Sequence, residues 1–293
     1  MTTTAPTPPT LPARTALTRR YLMCRPEHYT VAYSINPWMH PEDPTDTSVA
    51  LQQWQSLHDA YTALGHTVEL IDALPGLPDM VYSANGGFTL DGVAYTARFT
   101  HPERQPEGPA YGDWFREHGF RVHEAREVNE GEGDFLLVGD VILAGTGFRT
   151  SVESHAELAQ VTGREVVTLR LVDPRFYHLD TALAVLDPEG ADANIAWLPL
   201  AFDDASQQLL RRRYPDAVEV SEEDARWLGL NSISNGRDVV IASRAVGFEA
   251  SLRERGYTPI GLDLSELLLG GGGVKCCTLE LRGDHFESLR TSR

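Results

Sequence analysis

Gly87-Phe-Thr-Leu-Asp-Gly-Val-Ala-Tyr-Thr96 sets two β-prone runs on either side of Asp91-Gly92, a dipeptide that favours the tight turns of two-stranded hairpins. The same pattern recurs outward along the chain. Phe135–Val138 and Val141–Ala144 flank Gly139-Asp140, and Ser232–Ser234 and Val239–Ala242 surround Asn235-Gly236. Ala182–Leu186 and Ile195–Leu198 flank a longer turn rich in Asp, Pro and Gly, and Arg20–Ile35 offers a less regular fifth pair. After each hairpin comes a stretch with helical spacing and then a short strand. Ser48–Leu64 precedes Val68–Ile71, Tyr111–His118 precedes Phe120–Val122, and Ser154–Thr162 precedes Val166–Leu169. Gln207–Tyr214 precedes Ala217–Val220, and Val246–Arg255 precedes Tyr257–Ile260. Hairpin, helix and strand thus repeat at a spacing of about 50 residues, the range in which repeat architectures are expected. Such units cannot bury their apolar faces alone. Arranged around an axis they would share a core and leave a central pocket at one end, an arrangement preferred here over an ordinary mixed α/β sheet.

The 293 residues, 42% hydrophobic, suffice for a substantial core. Residues 1–18, rich in Thr, Pro and Ala and without a continuous apolar run, read as a disordered tail rather than a secretory signal. A single domain is expected over 19–284, with a C-terminal tail over 285–293. No apolar run is long enough to span a membrane. A net charge of -17 disfavours nucleic acid and anionic lipid as partners. It suits a small cationic substrate, although an acidic surface also serves solubility alone. Three cysteines, two of them adjacent, do not make a disulfide framework and fit a reduced, cytoplasmic protein. Neither CxxC nor HExxH occurs, so a metal site is not expected.

Chemistry-bearing residues gather at a few junctions. Gly270-Gly-Gly-Gly-Val-Lys-Cys-Cys-Thr278 brings flexible backbone up to a strand-like run. There Cys276 is either a nucleophile, with the Lys275 charge favouring its thiolate, or a small buried hydrophobe. His178 and Asp180, two apart on an expected strand, would share a face. The histidine reads either as structural or as a base oriented by a carboxylate. Glu130 and Glu132, among glycines before a hairpin, form a turn or aim carboxylates into a pocket. Arg98 and Arg149 follow hairpins without standing out, and Arg211–Arg213 reads as a solvated helix face.

Taken together, the motifs resemble the guanidine-modifying (pentein) superfamily of dimethylargininases, arginine deiminases, arginine dihydrolases and amidinotransferases. The similar segments run from Tyr21–Pro26 and Ser34–Met39 through Leu77-Pro-Asp-Met-Val-Tyr-Ser-Ala-Asn85, Arg98-Phe-Thr-His-Pro-Glu-Arg-Gln105, Glu130-Gly-Glu-Gly-Asp134, Gly147-Phe-Arg-Thr150 and Phe176-Tyr-His-Leu-Asp-Thr181 to Gly272–Leu279, nearly the whole chain. The resemblance implies a five-bladed α/β propeller around a central active-site pocket. It also implies a hydrolase of arginine-type guanidinium groups that works without metal or organic cofactor. Cys276 matches the nucleophile, while Cys277 stands where a larger apolar residue is usual. His178 matches the general acid and base. Asp180 and Glu130 resemble carboxylates that hold the guanidinium, with Glu132 as the alternative to Glu130 because this turn is one residue longer than the common form. Arg98 and Arg149 match the pair that clamps the substrate α-carboxylate, and Asn36 and Asp79 match pocket residues. Dimethylargininases commonly carry Glu-Asp where this chain has Ala84-Asn85, whereas arginine dihydrolases carry Ala-Asn. An amide that both donates and accepts would suit a neutral ureido group, so the sequence reading favours arginine dihydrolase over dimethylargininase. An amidinotransferase ranks below both. Oligomeric state is open, with a homo-oligomer compatible.

Overall fold

The computed structural model describes residues 14–189 and 193–283. Among these, fifteen strands form five three-stranded sheets, and helices link them into an α/β fold. The sheet seeded by Asp91-Gly92 contains β3 (Gly87–Leu90), β4 (Val93–Thr96) and β5 (Arg121–His123). Asp91 and Gly92 both take positive φ, 49° and 73°, which sets Leu90 opposite Val93 in the antiparallel pair. Val93 then pairs in parallel with Arg121, after a crossover through the Glu107–Glu117 helix.

The next three sheets repeat this plan. They are β6 (Phe135–Val138), β7 (Val141–Thr146) and β8 (Glu165–Arg170); β9 (Leu183–Asp187), β10 (Asn194–Trp197) and β11 (Val218–Glu219); and β12 (Ile233–Ser234), β13 (Asp238–Ala242) and β14 (Thr258–Leu262). In each, the middle strand pairs antiparallel with its hairpin partner and parallel with the strand after the helix. Three of the crossover helices start where a side chain caps free N–H groups: Asp46 accepts from Ser48 and Val49, Ser151 from Ser154, and Asp203 from Ser206.

The remaining sheet departs from the expected Arg20–Ile35 hairpin. Residues 25–46 form no strand; Pro26, Pro37, Pro41 and Pro44 each remove a ladder donor there. Instead β1 (Arg20–Cys24) pairs antiparallel with β15 (Leu279–Glu280), with Leu22 opposite Leu279, and parallel with β2 (Thr67–Ile71). The two ends of the chain therefore complete one sheet, and both leucines are fully buried. Neighbouring units share apolar clusters. Phe88 and Tyr95 pack with Phe135, Ile142 and Leu158, while Leu186 and Trp197 pack with Leu230 and Val239.

Residues 14–18 belong to the expected tail yet lie against the fold. Arg14 pairs with Asp187 at 2.7 Å and covers the Tyr257 ring, and the Leu17 N–H reaches the Asn235 carbonyl. The rest of that tail, residues 1–13, and the expected C-terminal tail at 285–293 lie outside the described residues. Among the described residues, no helix is long and apolar enough to cross a membrane.

Candidate active site

In every unit the segment just before the first hairpin strand carries a polar group inward. Those segments are Asp79–Gly86 before β3, Glu130–Asp134 before β6, His178–Ala182 before β9, Leu228–Ser232 before β12 and Gly270–Thr278 before β15. Hydrogen bonds join them in a cycle. Ala84 N–H donates to the Cys276 carbonyl, and the Asn85 side chain donates to the Glu130 carbonyl. His178 Nε2 meets Glu130 Oε2 at 2.7 Å, and Leu179 N–H donates to Asp134. Asn231 then bonds the Asp180 carbonyl on one side and Cys276 on the other. The segments before the five hairpin strands are thus linked by hydrogen bonds, although they are spread over some two-thirds of the sequence.

Cys276 sits 3.4 Å from Asp180 Oδ2, to which its thiol donates, and is 2% exposed. Burial, then the Asp180 charge, pushes this thiol well above its ordinary range. Lys275 does not supply the activating charge expected from its position. Its ammonium lies 2.6 Å from Glu132 and donates to the Thr278 carbonyl, so its charge is spent beneath the loop. His178 and Asp180 do not share a strand face either. His178 is extended and caps a short helix over Leu179–Ala182, which sends the imidazole to Glu130 and the Asp180 carboxylate to Cys276.

Glu130 and Glu132 have separate fates. Burial alone would raise the Glu130 carboxyl, but the Arg149 guanidinium and the His178 hydrogen bond outweigh it and hold it well below the usual range. An ionised Glu130 only accepts, so His178 Nε2 carries the hydrogen and Nδ1 has no partner. Glu132 faces away from His178, between Lys275 and Arg282, and takes the Glu280 N–H. Arg149 is drawn inward by Glu130, at 3.0 Å, and also donates to the Ile35 carbonyl. Arg98 is exposed and donates to the Arg126 carbonyl, so the two arginines form no clamp in this structure.

Asn36 ties the 25–46 loop to the glycine run: its amide donates to the Gly270 carbonyl and to Tyr177, and its oxygen accepts from Trp38 N–H. Asp79 accepts from the Tyr33 hydroxyl through Oδ2 and leaves Oδ1 without a partner; burial raises its carboxyl. Asn85 Oδ1 accepts from Arg104, which is itself held by both oxygens of Glu107. The amide is required here, because one end must accept from a guanidinium and the other donate to a carbonyl. That use leaves Asn85 poorly placed to serve a substrate ureido group in both senses. Glu107 and Asn231 carry no motif that singles them out in the sequence, and Arg104 lies within the Arg98–Gln105 segment without a role read for it there; position relative to the hairpin is the signal that marks Asn231. Among the described residues, no three or more His, Cys, Asp or Glu side chains are grouped to hold a metal ion.

Residues 35–283 match the eukaryotic N,N dimethylarginine dimethylhydrolase family. The chain belongs to this family. It is 54% identical over 268 residues to an N(G),N(G)-dimethylarginine dimethylaminohydrolase of Mycobacterium tuberculosis, covering 92% of this chain and 87% of that protein. It is also 38% identical over 272 residues to a bifunctional arginine dihydrolase/ornithine cyclodeaminase of Synechocystis, covering 89% of this chain and 37% of that longer protein. The crystal structure of a substrate-bound N-terminal domain of ArgZ, an arginine dihydrolase from Cyanobacteria, superposes with a TM-score of 0.85 at 36% identity, over 90% of this chain and 98% of that one. This member of the dimethylarginine dimethylhydrolase family is a hydrolase of linear-amidine C–N bonds.

In this family member the buried Asp180 links stability to pH. Burial raises its carboxyl to about 7, only partly offset by the Lys275 charge. A folded value above the unfolded one means that the contribution is full below about 4 and is lost as pH rises through about 7. An upper bound for that loss is on the order of 4 kcal/mol. Asp180→Asn should therefore flatten the stability profile between about pH 4 and 7 and lose turnover. Urea titrations at a series of pH values check the slope; an unchanged slope would remove Asp180 as the buried titrating group.

Proposed function

We propose that the chain hydrolyses Nω-methylated arginine to citrulline and a methylamine, with Cys276 as nucleophile. One observation carries this reading. Among the buried polar atoms of the pre-strand segments that have no partner within the protein are Asp180 Oδ1, beside Cys276, and Asp79 Oδ1 and His178 Nδ1. A planar guanidinium offers the N–H groups that two unpaired carboxylate oxygens require. Asp180 holds the cation beside the sulfur, and the arriving positive charge favours the thiolate. The thiol proton passes to His178 Nδ1, the sulfur attacks the guanidinium carbon, His178 hands that proton to the departing amine, and an S-alkylthiouronium remains on Cys276. His178 then takes a proton from water, the resulting hydroxide adds to the same carbon, and the C–S bond breaks to return the cysteine and release citrulline.

Glu130 keeps the hydrogen on His178 Nε2, and Arg149 compensates the Glu130 charge. Arg98, at the exposed edge, meets the α-carboxylate of the amino acid. Asn36 and Asp79 shape the opposite wall, and Asn85 fixes Arg104. The five sheets form the blades of an α/β propeller within a single domain. The cycle of hydrogen bonds among the five pre-strand segments supports that reading.

The 54% identical mycobacterial relative favours dimethylarginine as substrate over the arginine dihydrolysis expected from Ala84-Asn85. Arginine dihydrolysis stands as the second reading because of the likeness to the ArgZ domain. Incubating the protein separately with asymmetric dimethylarginine and with arginine separates the two. Citrulline with equimolar dimethylamine from the first substrate is the expected result. Ornithine with two ammonia per arginine, and no turnover of the methylated substrate, would overturn it in favour of the dihydrolase.

A further inference from the structure

Asn231 has no place in the chemistry described so far, yet it is the amide through which Cys276 and Asp180 are joined. It ends a tight turn that Leu228, at φ 54°, closes with an N–H to the Ala225 carbonyl. Gly229 N–H bonds the Asp224 carbonyl, and the Asp224 side chain accepts from Ser221 and from Gly247 N–H, so the turn is anchored on both sides. Asn231 N–H bonds the Leu228 carbonyl, leaving its fully buried side chain aimed at the glycine run. There Oδ1 accepts the Cys276 N–H at 3.0 Å, while Nδ2 donates to Cys276 Sγ at 3.1 Å and to the Asp180 carbonyl at 3.2 Å. Its own carbonyl accepts from Lys275 N–H. A side-chain carbon on Gly273 would come within 3.0 Å of Asn231 Oδ1, so the loop is glycine where it presses on this amide.

Resting on the assignment of Cys276 as nucleophile, we propose that Asn231 is a positioning residue: its amide fixes the Cys276 sulfur at a set distance from Asp180 and supplies the fixed N–H donor that stabilises the thiolate. The chemistry follows from what else faces the sulfur. Its acidic neighbour, Asp180 Oδ2, only accepts when ionised and so favours the protonated thiol. The Asn231 N–H is a donor in both protonation states, and its bond strengthens when the sulfur becomes an anion. Both Asn231 and the substrate guanidinium therefore pull the thiol toward ionisation, against burial and Asp180. The Oδ1 bond to the Cys276 N–H keeps the loop in register while the sulfur changes from thiolate to thiouronium and back.

Asn231→Asp tests this with no change in size. The carboxylate keeps the acceptor for the Cys276 N–H but replaces the donor at Sγ with an oxygen. The alkaline rise of kcat/KM and of Cys276 alkylation by iodoacetamide should move up by about one pH unit, with alkylation about tenfold slower at pH 8, since only the thiolate reacts. Loss should fall on kcat more than on KM. Asn231→Ala, which removes both bonds, should lower kcat further, and thermal melting of each variant shows whether it is folded. A folded Asn231→Asp enzyme with the wild-type pH profile and alkylation rate would overturn the inference. Peptide mapping of the alkylated site in wild-type protein separates the two failures. Labelling away from Cys276 sinks the nucleophile assignment itself, whereas labelling at Cys276 with no Asn231 dependence sinks this inference alone.

Discussion

Cys276→Ser should lower turnover of the guanidino substrate by at least about four orders of magnitude while leaving the fold intact, because removing a covalent nucleophile forfeits both chemical steps at once. Serine keeps the shape and the hydrogen bonds to Asn231 and Asp180, so the loop stays in place. Its hydroxyl is a far weaker acid than the thiol and ionises too little in so buried a site, even beside a cationic substrate. Cys277→Ser is the internal control. Cys277 is fully buried in an apolar cluster with Tyr61 and Val81 among its members, and burial pushes its thiol above the ordinary range. A hydroxyl there should cost stability, on the order of 1–3 kcal/mol, without touching the chemistry. Steady-state rates and chemical denaturation of the two variants separate the roles. Equal activity losses would mean that the doublet acts as a packing unit.

Glu130→Gln has the second-largest expected effect, and it strikes stability and catalysis together. Glu130 neutralises Arg149, which is 5% exposed, and orders His178 through one pair of oxygens. An amide leaves the guanidinium buried without its counter-charge, a change that typically costs about 3–5 kcal/mol. It also releases the His178 tautomer, since a carboxamide can donate to Nε2 as well as accept from it, and that should cost kcat about two to four orders of magnitude. Glu132→Gln separates the two glutamates. It breaks the pairs to Lys275 and Arg282 and should destabilise comparably, but His178 is untouched and the folded variant should retain most of its kcat. If Glu132→Gln proved the catalytically dead one, the placement of Glu130 as the partner of His178 would be wrong.

The parts of this molecule that were legible in the sequence are those governed by local rules. Asp91-Gly92 specifies its turn through positive φ at two consecutive residues, so the β3–β4 hairpin and its register could be read directly. The crossover helices show helical spacing, three of them after a capping side chain, and their ends lie within a few residues of expectation. The Arg20–Ile35 pair failed because the true partner of Leu22 is Leu279, and no local pattern signals a pairing between opposite ends of the chain. Two-residue spacing suggests a strand face shared by His178 and Asp180, but so short a segment carries no periodicity to tell a strand from the single helical turn it forms.

At the site, residue types were legible but their pairings were not. Lys275 stands beside Cys276 in sequence, yet its long side chain reaches Glu132, because a carboxylate that buried needs a cation more than a neutral thiol does. Arg149 turns inward to Glu130 for the same reason. Asn231 was invisible, since a lone asparagine between Leu230 and Ser232 carries no signature; only the repeat, by placing one inward polar group before each hairpin, gives it a meaning.

As the proposed nucleophile, Cys276 should carry the guanidino carbon during turnover. Acid-quenching the wild-type enzyme during steady-state hydrolysis of asymmetric dimethylarginine, followed by peptide mass analysis, tests it most directly. A peptide adduct equal to the substrate less dimethylamine, located on Cys276 and absent from Cys276→Ser, is the expected result. Turnover proceeding at full rate with no adduct at Cys276, or with the adduct on another residue, would contradict it.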